Sequence, residues 1–337
     1  MNKMSDNQED SLSLITDTIE TLATGIPAPV RKNFFKAFEQ LCSASIDIPV
    51  AWLEGKADII RSTNEARKEI IKKSGESINS QIQIPEKYVE KAISKYASKI
   101  INEQINLDDI TVIAAQDLSK KEILTNESTV RELKEIDDDW LNEFENIAKL
   151  KTSTDMKLLF GKILSGEISN PGEFSIRTLK LISQIDNQAA KLFQTFCNNT
   201  SALFIGDKTI HDSRVIVFTG TAGSNALSKY GLSFDNLNIL QEYGLIISDY
   251  NSYYPYDLAI INDNDTVFAT IELQNKRFFL VPNDRKNDIK KINFHGVALT
   301  KSGKELFQII TKKESEKYFN DFVEFLESKK FKLHLTT

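Results

Sequence analysis

The chain has 337 residues, 41% of them hydrophobic and 27% charged, with a formal net charge of −6. That length exceeds a single hydrophobic core and predicts two or more modules, in a composition ordinary for a soluble globular protein. The negative balance disfavours long-range attraction of the whole molecule to nucleic acid or anionic membrane. Cys42 and Cys197 are too few and too distant for a disulfide framework, and they fit a reducing compartment. The acidic, polar start MNKMSDNQED is unlike a secretory signal, and no uncharged apolar run reaches membrane-spanning length. A cytoplasmic location is therefore expected.

Taken in order, residues 1–10 read as disordered, and Leu12, Ile15, Ile19 and Leu22 form a helical stripe ended by Gly25 and Pro27. Val30 to Ser43 predicts a helix with Phe34, Phe35, Phe38 and Leu41 on one side. Residues 54–78 predict a long charged helix, read as a solvated arm in preference to an oligomerisation surface because its apolar stripe lacks sustained heptads. Glu86 to Gln104 predicts a helix burying Tyr88, Val89, Ile93, Tyr96 and Ile100, and Leu107–Leu118 and Glu127–Ile136 predict two more.

From Asp137 the signals become dense. Any of Asp137, Asp138 and Asp139 suits a helix start, and Trp140, Leu141, Phe144, Ile147, Ala148 and Leu150 recur at helical spacing. Ser153 or Thr154 can cap the next helix, which carries Met156, Leu159, Phe160, Ile163 and Leu164 inward. Gly161 inside it implies close backbone approach, because Gly there is unfavourable by roughly 1 kcal/mol relative to Ala. Gly166 reads as its stop, Asn170-Pro171-Gly172 as a turn, and Ser175 and Asp186 as starts of two further helices. Glu167 and Arg177 flank the turn; an ion pair between them would lock the corner, a role preferred over Arg177 reaching a phosphate or an acidic partner. Trp140 reads as a core anchor.

Beyond about residue 200 strands prevail: 202–205, 215–218, 245–247, 258–261, 267–271 and 278–281, with a turn at Asn262–Asp265. A short helix, Phe234 to Tyr243, precedes Gly244, and Thr300-Lys-Ser-Gly303 opens another. That order suits a winged-helix-like module with an enlarged β wing. Such modules commonly bind DNA through the helix before the wing, but here that helix, SFDNLNILQEYG, has no Lys or Arg, so protein contact is preferred over base reading.

The run Trp140-Leu141, Phe144, Ala148, Gly161 to Ile168, Pro171-Gly172, Phe174-Ser175 and Arg177 to Leu179 resembles the bacterial domain of unknown function 2806 family. Ile48 to Glu54, Arg61 to Arg67, Leu240 to Ile246 and Leu299 to Gly303 extend the likeness over roughly residues 40 to 310. The resemblance implies a fold and a bacterial origin, and it carries no catalytic residues with it. The layout is also similar to abortive-infection alpha proteins, which is what brings phage defence into view.

Three chemistries compete with plainer readings of the same residues. Asp257, Glu272 and Gln274, with Lys276 close behind, match the carboxylates and helper of a Mg²⁺-dependent nuclease, and strand alternation would put Glu272 and Gln274 on one face. An exposed polar hairpin explains the same residues and is preferred. His211, His295 and His334 lack paired ligand spacing with one another or with the cysteines, so no metal site is indicated. Gly220-Thr-Ala-Gly223-Ser224-Asn225 could cradle an anion but lacks the Gly-Lys-Ser/Thr ending of a nucleotide loop, and a turn with a helix cap is preferred.

The expectation is an α+β protein: a mainly helical N-terminal half followed by a winged-helix-like C-terminal module. The boundaries are 11–135 for a helical region, 136–200 for the motif region, 201–312 for the α+β module and 313–337 for a C-terminal helix and tail. No catalytic residue and no cofactor is assigned. Trp140, Gly161, Gly166, Glu167, Pro171, Gly172 and Arg177 are given structural roles. Work through a protein partner or self-association is preferred, with the nuclease and a DNA-binding regulator as alternatives.

Overall fold

The structure, a computed structural model, describes residues 26, 30–42, 86–120, 134–205, 209–247, 249–255, 261–263, 266–283 and 293–336. The expected disorder over 1–10, the helical stripe before residue 25, the charged helix over 54–78 and most of the Glu127–Ile136 helix lie outside the described residues. The chain divides into two units, Met1–Leu179 and Lys180–Thr337.

The first unit is helical. It contains α1 (Arg31–Leu41), α2 (Glu86–Lys120), α3 (Asp138–Ala148) and α4 (Thr154–Ser169), and the unit boundary falls inside α5 (Ile176–Gln184). The polar starts act as caps: the Asp137 carboxylate accepts from the Trp140 amide at 2.9 Å and the Ser153 hydroxyl from Met156 at 3.4 Å. Phe34 and Leu41 of α1, Leu107, Ile110, Ala114 and Leu118 of α2, Leu141 and Phe144 of α3, and Phe160, Ile163 and Leu164 of α4 are buried together as apolar core.

Helix α2 packs closely on α4. A Cβ on Gly161 would lie 2.4 Å from Ile113 Cγ2 and 3.3 Å from the Ile110 carbonyl, which accounts for a glycine inside the helix. Above and below that contact, Lys157 pairs with Asp109 at 2.6 Å and the Ser165 hydroxyl donates to Asp117 at 2.6 Å.

Several expectations are corrected here. The helices expected over 86–104 and 107–118 are one helix of 35 residues, since no Gly or Pro interrupts it. Asn106, at the expected break, donates its side-chain amide to the Lys149 carbonyl at 2.8 Å. Residues 134–137 are not helical; the Ile136 amide is held by the Asn33 side chain at 3.1 Å. Gly166 does not stop α4, which runs to Ser169. A Cβ there would lie 2.5 Å from the Phe174 ring, so the glycine makes room for that ring. Phe35 and Leu150, placed on inner faces from spacing alone, are 39% and 59% exposed.

The second unit is α+β. Its first complete helix is α6 (Asn187–Asn198), capped by Asp186 through the Ala189 amide at 2.7 Å. β1 (Ser201–Ile205) and β2 (Thr209–Ile216) form a hairpin, and α7 (Phe234–Glu242) follows a loop with two 3₁₀ turns. β3 (Tyr253–Pro255), β4 (Ile261–Asp263), β5 (Thr266–Leu273), β6 (Lys276–Pro282) and β7 (Asn293–Ala298) precede α8 (Lys301–Ile309) and α9 (Glu316–Ser328). The last described element is β8 (Phe331–Leu335).

One antiparallel sheet has the order β3-β7-β2-β1-β5-β6-β8, with β4 also paired to β5. The hairpin expected around Asn262–Asp265 as an enlarged wing is β4–β5, and β5 is also continuous with β1 and, through an unexpected second hairpin, with β6 and β8. The expected Gly-Leu-Ile strand is reduced to a single bridge, Ile246 to Leu299.

Tyr318, Phe322 and Leu326 are the buried face of α9. The Tyr318 hydroxyl accepts from the Ile216 amide at 2.8 Å, past the last residue of β2 that β1 reaches. A side chain thus satisfies a strand amide that lacks a ladder partner on that edge.

Candidate functional site

The family-like corner closes on itself. Glu167 is 1% exposed, and its carboxylate accepts from the Gly172 amide at 2.6 Å and the Phe174 amide at 2.9 Å. The Phe174 carbonyl in turn accepts from the Trp140 indole N–H at 2.7 Å, while the Trp140 ring stacks on Phe144 at 5.1 Å. Gly172 holds φ of +95°, a left-handed conformation that suits glycine after Pro171. Glu167 therefore braces the turn through backbone amides, and Arg177 is exposed on the first turn of α5. Among the described residues, no ion pair between the two is seen.

Asn33, which spacing alone did not single out, is 3% exposed and joins the same region. Its amide nitrogen donates to the Lys134 carbonyl at 3.0 Å and the Ile168 carbonyl at 3.4 Å. The available signal was a polar residue interrupting the Phe-rich face of α1. Lys36 adds a 2.5 Å ion pair with Asp138, and that contact raises its pKa above the ordinary lysine value.

In the second unit the Gly244-Leu245-Ile246 and Thr300-x-x-Gly303 segments meet. The Thr300 hydroxyl donates to the Gly244 carbonyl at 2.6 Å and accepts from the Gly303 amide at 3.1 Å. A Cβ on Gly303 would lie 2.2 Å from the Leu245 carbonyl oxygen, so the spacing of Thr and Gly reflects one tight contact.

Of the nuclease candidates, Glu272 and Gln274 do not share the strand face that alternation would give them. Asp257 lies outside the described residues. Glu272 faces two cations, the Lys312 ammonium at 3.0 Å and the Arg277 guanidinium at 3.8 Å, and Lys312 is 8% exposed. Gln274 is not on the strand face of Glu272. With φ of +55° it forms the two-residue β5–β6 turn with Asn275 at +62°, and its side chain donates to the Ser315 carbonyl at 3.1 Å. Alternation failed because the strand ends at Leu273. Lys276 pairs with Glu314 at 2.6 Å.

Another polar pair escaped sequence reading. Asp212 and Arg214, 4% and 3% exposed, form a two-pronged ion pair at 2.6 and 2.8 Å. Arg214 also donates to the Ser252 and Phe294 carbonyls at 2.9 and 3.2 Å, tying β2 to the loop before β3 and to β7. The signal was an Asp and an Arg two residues apart, which strand alternation puts on one face of β2.

The remaining candidates are spent on structure. In the glycine loop, Thr221 and Ser224 cap one another, and the Ser224 and Ala226 amides are bonded to Thr221. Among the described residues no three His, Cys, Asp or Glu converge on a metal position. Burial pushes both the Cys42 and Cys197 thiols above their ordinary range.

One surface departs from expectation. Tyr96 and Ile100, expected to be buried, are 68% and 46% exposed. They lie on the heptad stripe that continues through Leu107, Ile110 and Ala114, which are covered by the first unit's core. The stripe simply runs on past the elements that bury its C-terminal half.

Taken together, these features define a two-unit α+β protein with a helical unit braced at a Pro-Gly corner and a second unit built on an antiparallel sheet. The chain belongs to the family described as protein of unknown function (DUF2806), whose model matches residues 90–323. The segments Ile48–Glu54 and Arg61–Arg67, which added to the resemblance, lie outside that match. No curated protein and no solved structure matches the chain. Among the described residues, no helix is long and apolar enough to cross a membrane.

Proposed function

We propose that this is a non-catalytic interaction protein, a regulatory or sensing component that self-associates through the N-terminal half of α2. The observation that carries the reading is the bare stripe at Tyr96 and Ile100 on a helix whose other half is core. Exposed apolar side chains aligned over successive turns favour another helix as their cover. A second copy is the occupant that the charges favour. Lys91 and Lys95 lie away from the stripe, and Glu103, which falls on it between Ile100 and Leu107, has its charge matched within the same copy. Lys99, at the flank, is paired with Glu103 at 3.7 Å. Ala92 and Ala97 flank the stripe and permit close approach of a second helix.

The commitment of Glu272 to Lys312 supports this reading over the nuclease, and the absence of Lys and Arg from α7 supports it over DNA binding. Phage defence is the setting we propose for the chain, on the likeness in layout to abortive-infection alpha proteins that the sequence suggests. Phage plating on cells with and without the chain tests that setting, and equal plating rejects it. Self-association is tested by a photo-reactive residue at position 96 of the full chain. An adduct between two copies is expected on illumination, and no such adduct rejects the reading.

A further inference from the structure

A different surface, in the second unit, carries its own chemistry. Between Lys229 and Lys276 the sequence has no Lys or Arg, and Asp235, Glu242 and Asp249 in that stretch are exposed. The same stretch exposes Phe234 at 40%, Ile247 at 42% and Tyr253 at 55%.

The loop over 249–253 is firmly held. The buried Tyr250 hydroxyl lies within hydrogen-bond reach of the side-chain oxygens of Asn238 at 2.9 Å and Gln241 at 3.0 Å, both on α7, and its ring meets Phe234 edge-on at 6.0 Å. The Asp249 carboxylate accepts from the Asn251 amide at 3.1 Å. The Ser252 carbonyl receives the Gly296 amide at 3.0 Å and the buried Arg214 at 2.9 Å. Tyr253 lies 5.2 Å from His295, whose Nδ1 is 3.3 Å from the Asn251 carbonyl. Outward aromatic rings are thus fixed in place on a stretch whose exposed charges are carboxylates, with their ordering cost met by folding.

We infer that this face, from α7 across the 249–253 loop to Tyr253, docks a basic, arginine-containing segment of a protein partner. Guanidinium groups stack on aromatic faces and pair with carboxylates, and this surface presents both. Charge complementarity selects the occupant: phosphate-bearing partners meet only like charge from Asp235, Glu242 and Asp249.

The test uses the full chain and a labelled peptide of repeated Arg-Gly, followed by fluorescence anisotropy at low salt. Saturable binding is expected. Phe234→Ser with Tyr253→Ser, and separately Asp235→Asn with Glu242→Gln and Asp249→Asn, should each weaken it roughly tenfold. Asparagine at 249 keeps an acceptor for the Asn251 amide. Glu316→Gln with Glu324→Gln and Glu327→Gln removes the same charge from exposed positions on α9 and should change binding less than twofold, about the scatter of such measurements. Equal losses in the two charge-matched variants would reduce the effect to net charge and overturn the proposal. So would absence of binding. Binding that appears only when Arg285, Lys286, Lys290 and Lys291 are changed to Ser would make the chain's own basic segment the occupant, which also overturns it.

Discussion

The Trp140 indole N–H donates to the Phe174 carbonyl at 2.7 Å, across 34 residues of sequence, and so fixes the end of the Pro-Gly turn to the start of α3. Behind that bond the Glu167 carboxylate holds the Gly172 and Phe174 amides. Glu167→Ala leaves both amides without that acceptor and should destabilise the first unit by about 2–5 kcal/mol, whereas Trp140→Phe, losing one hydrogen bond, should cost about 1–2 kcal/mol. Urea denaturation followed by far-ultraviolet circular dichroism checks the order. A Glu167→Ala cost no larger than that of Trp140→Phe would refute the brace.

Packing of α2 on α4 depends on the absence of a side chain at 161. Gly161→Ala gains helix propensity of roughly 1 kcal/mol, but the new methyl collides with Ile113, an overpacking cost of about 1–3 kcal/mol. The expected net effect is a loss of stability. Ile113→Ala in the same chain removes the colliding Cγ2, so the two costs should not add. A double-mutant cycle in urea reads the coupling, and simple additivity would count against the close approach.

Corner and caps were legible in the sequence because each is local. Asp137, Ser153 and Asp186 sit beside the helices they cap, and Pro171-Gly172 makes its own turn. Partners distant in sequence were not legible. Asn33 bonds residues more than 100 positions away, and Glu272 finds Lys312 only through folding of β5 against the segment after α8. β3, β7 and β8 are short, and β7 contains a glycine, so their apolar alternation is too brief to stand out. The Gln274-Asn275 turn hid because it uses neither of the glycine pairs that usually mark a two-residue hairpin.

The Glu272–Lys312 pair separates a structural carboxylate from a catalytic one. Glu272→Ala leaves the buried Lys312 side chain without its carboxylate, and should cost about 3–5 kcal/mol. Plasmid nicking with Mg²⁺ or Mn²⁺ should be absent in wild type. Metal-dependent cutting that disappears in a folded Glu272→Gln chain would restore the nuclease reading.

Tyr230 supplies a pH signature for the second unit. Its hydroxyl donates to Asp321 at 2.5 Å, and burial, with that bond, pushes its pKa up to about 12. A raised pKa means the folded state keeps the proton longer than the unfolded chain, whose tyrosine titrates near 10. The contribution is full below pH 10 and is lost as pH rises towards about 12. At the acid end, Asp321, lowered by Lys229 and Tyr230, contributes above its unfolded value of 3.8 and loses that contribution as pH falls below it. Wild type should therefore lose more stability than Tyr230→Phe between pH 10 and 12 in urea titrations. Parallel losses would contradict the assignment.

The exposed stripe on α2 is tested most directly by the molar mass of the full chain, measured by light scattering over a concentration series. Wild type should rise towards twice the 38.2 kDa chain mass, and Tyr96→Glu with Ile100→Glu should stay at the single-chain mass with an unchanged melting temperature. A wild-type chain that remains single at every concentration, or a double variant that melts early without any change in mass, would contradict the account.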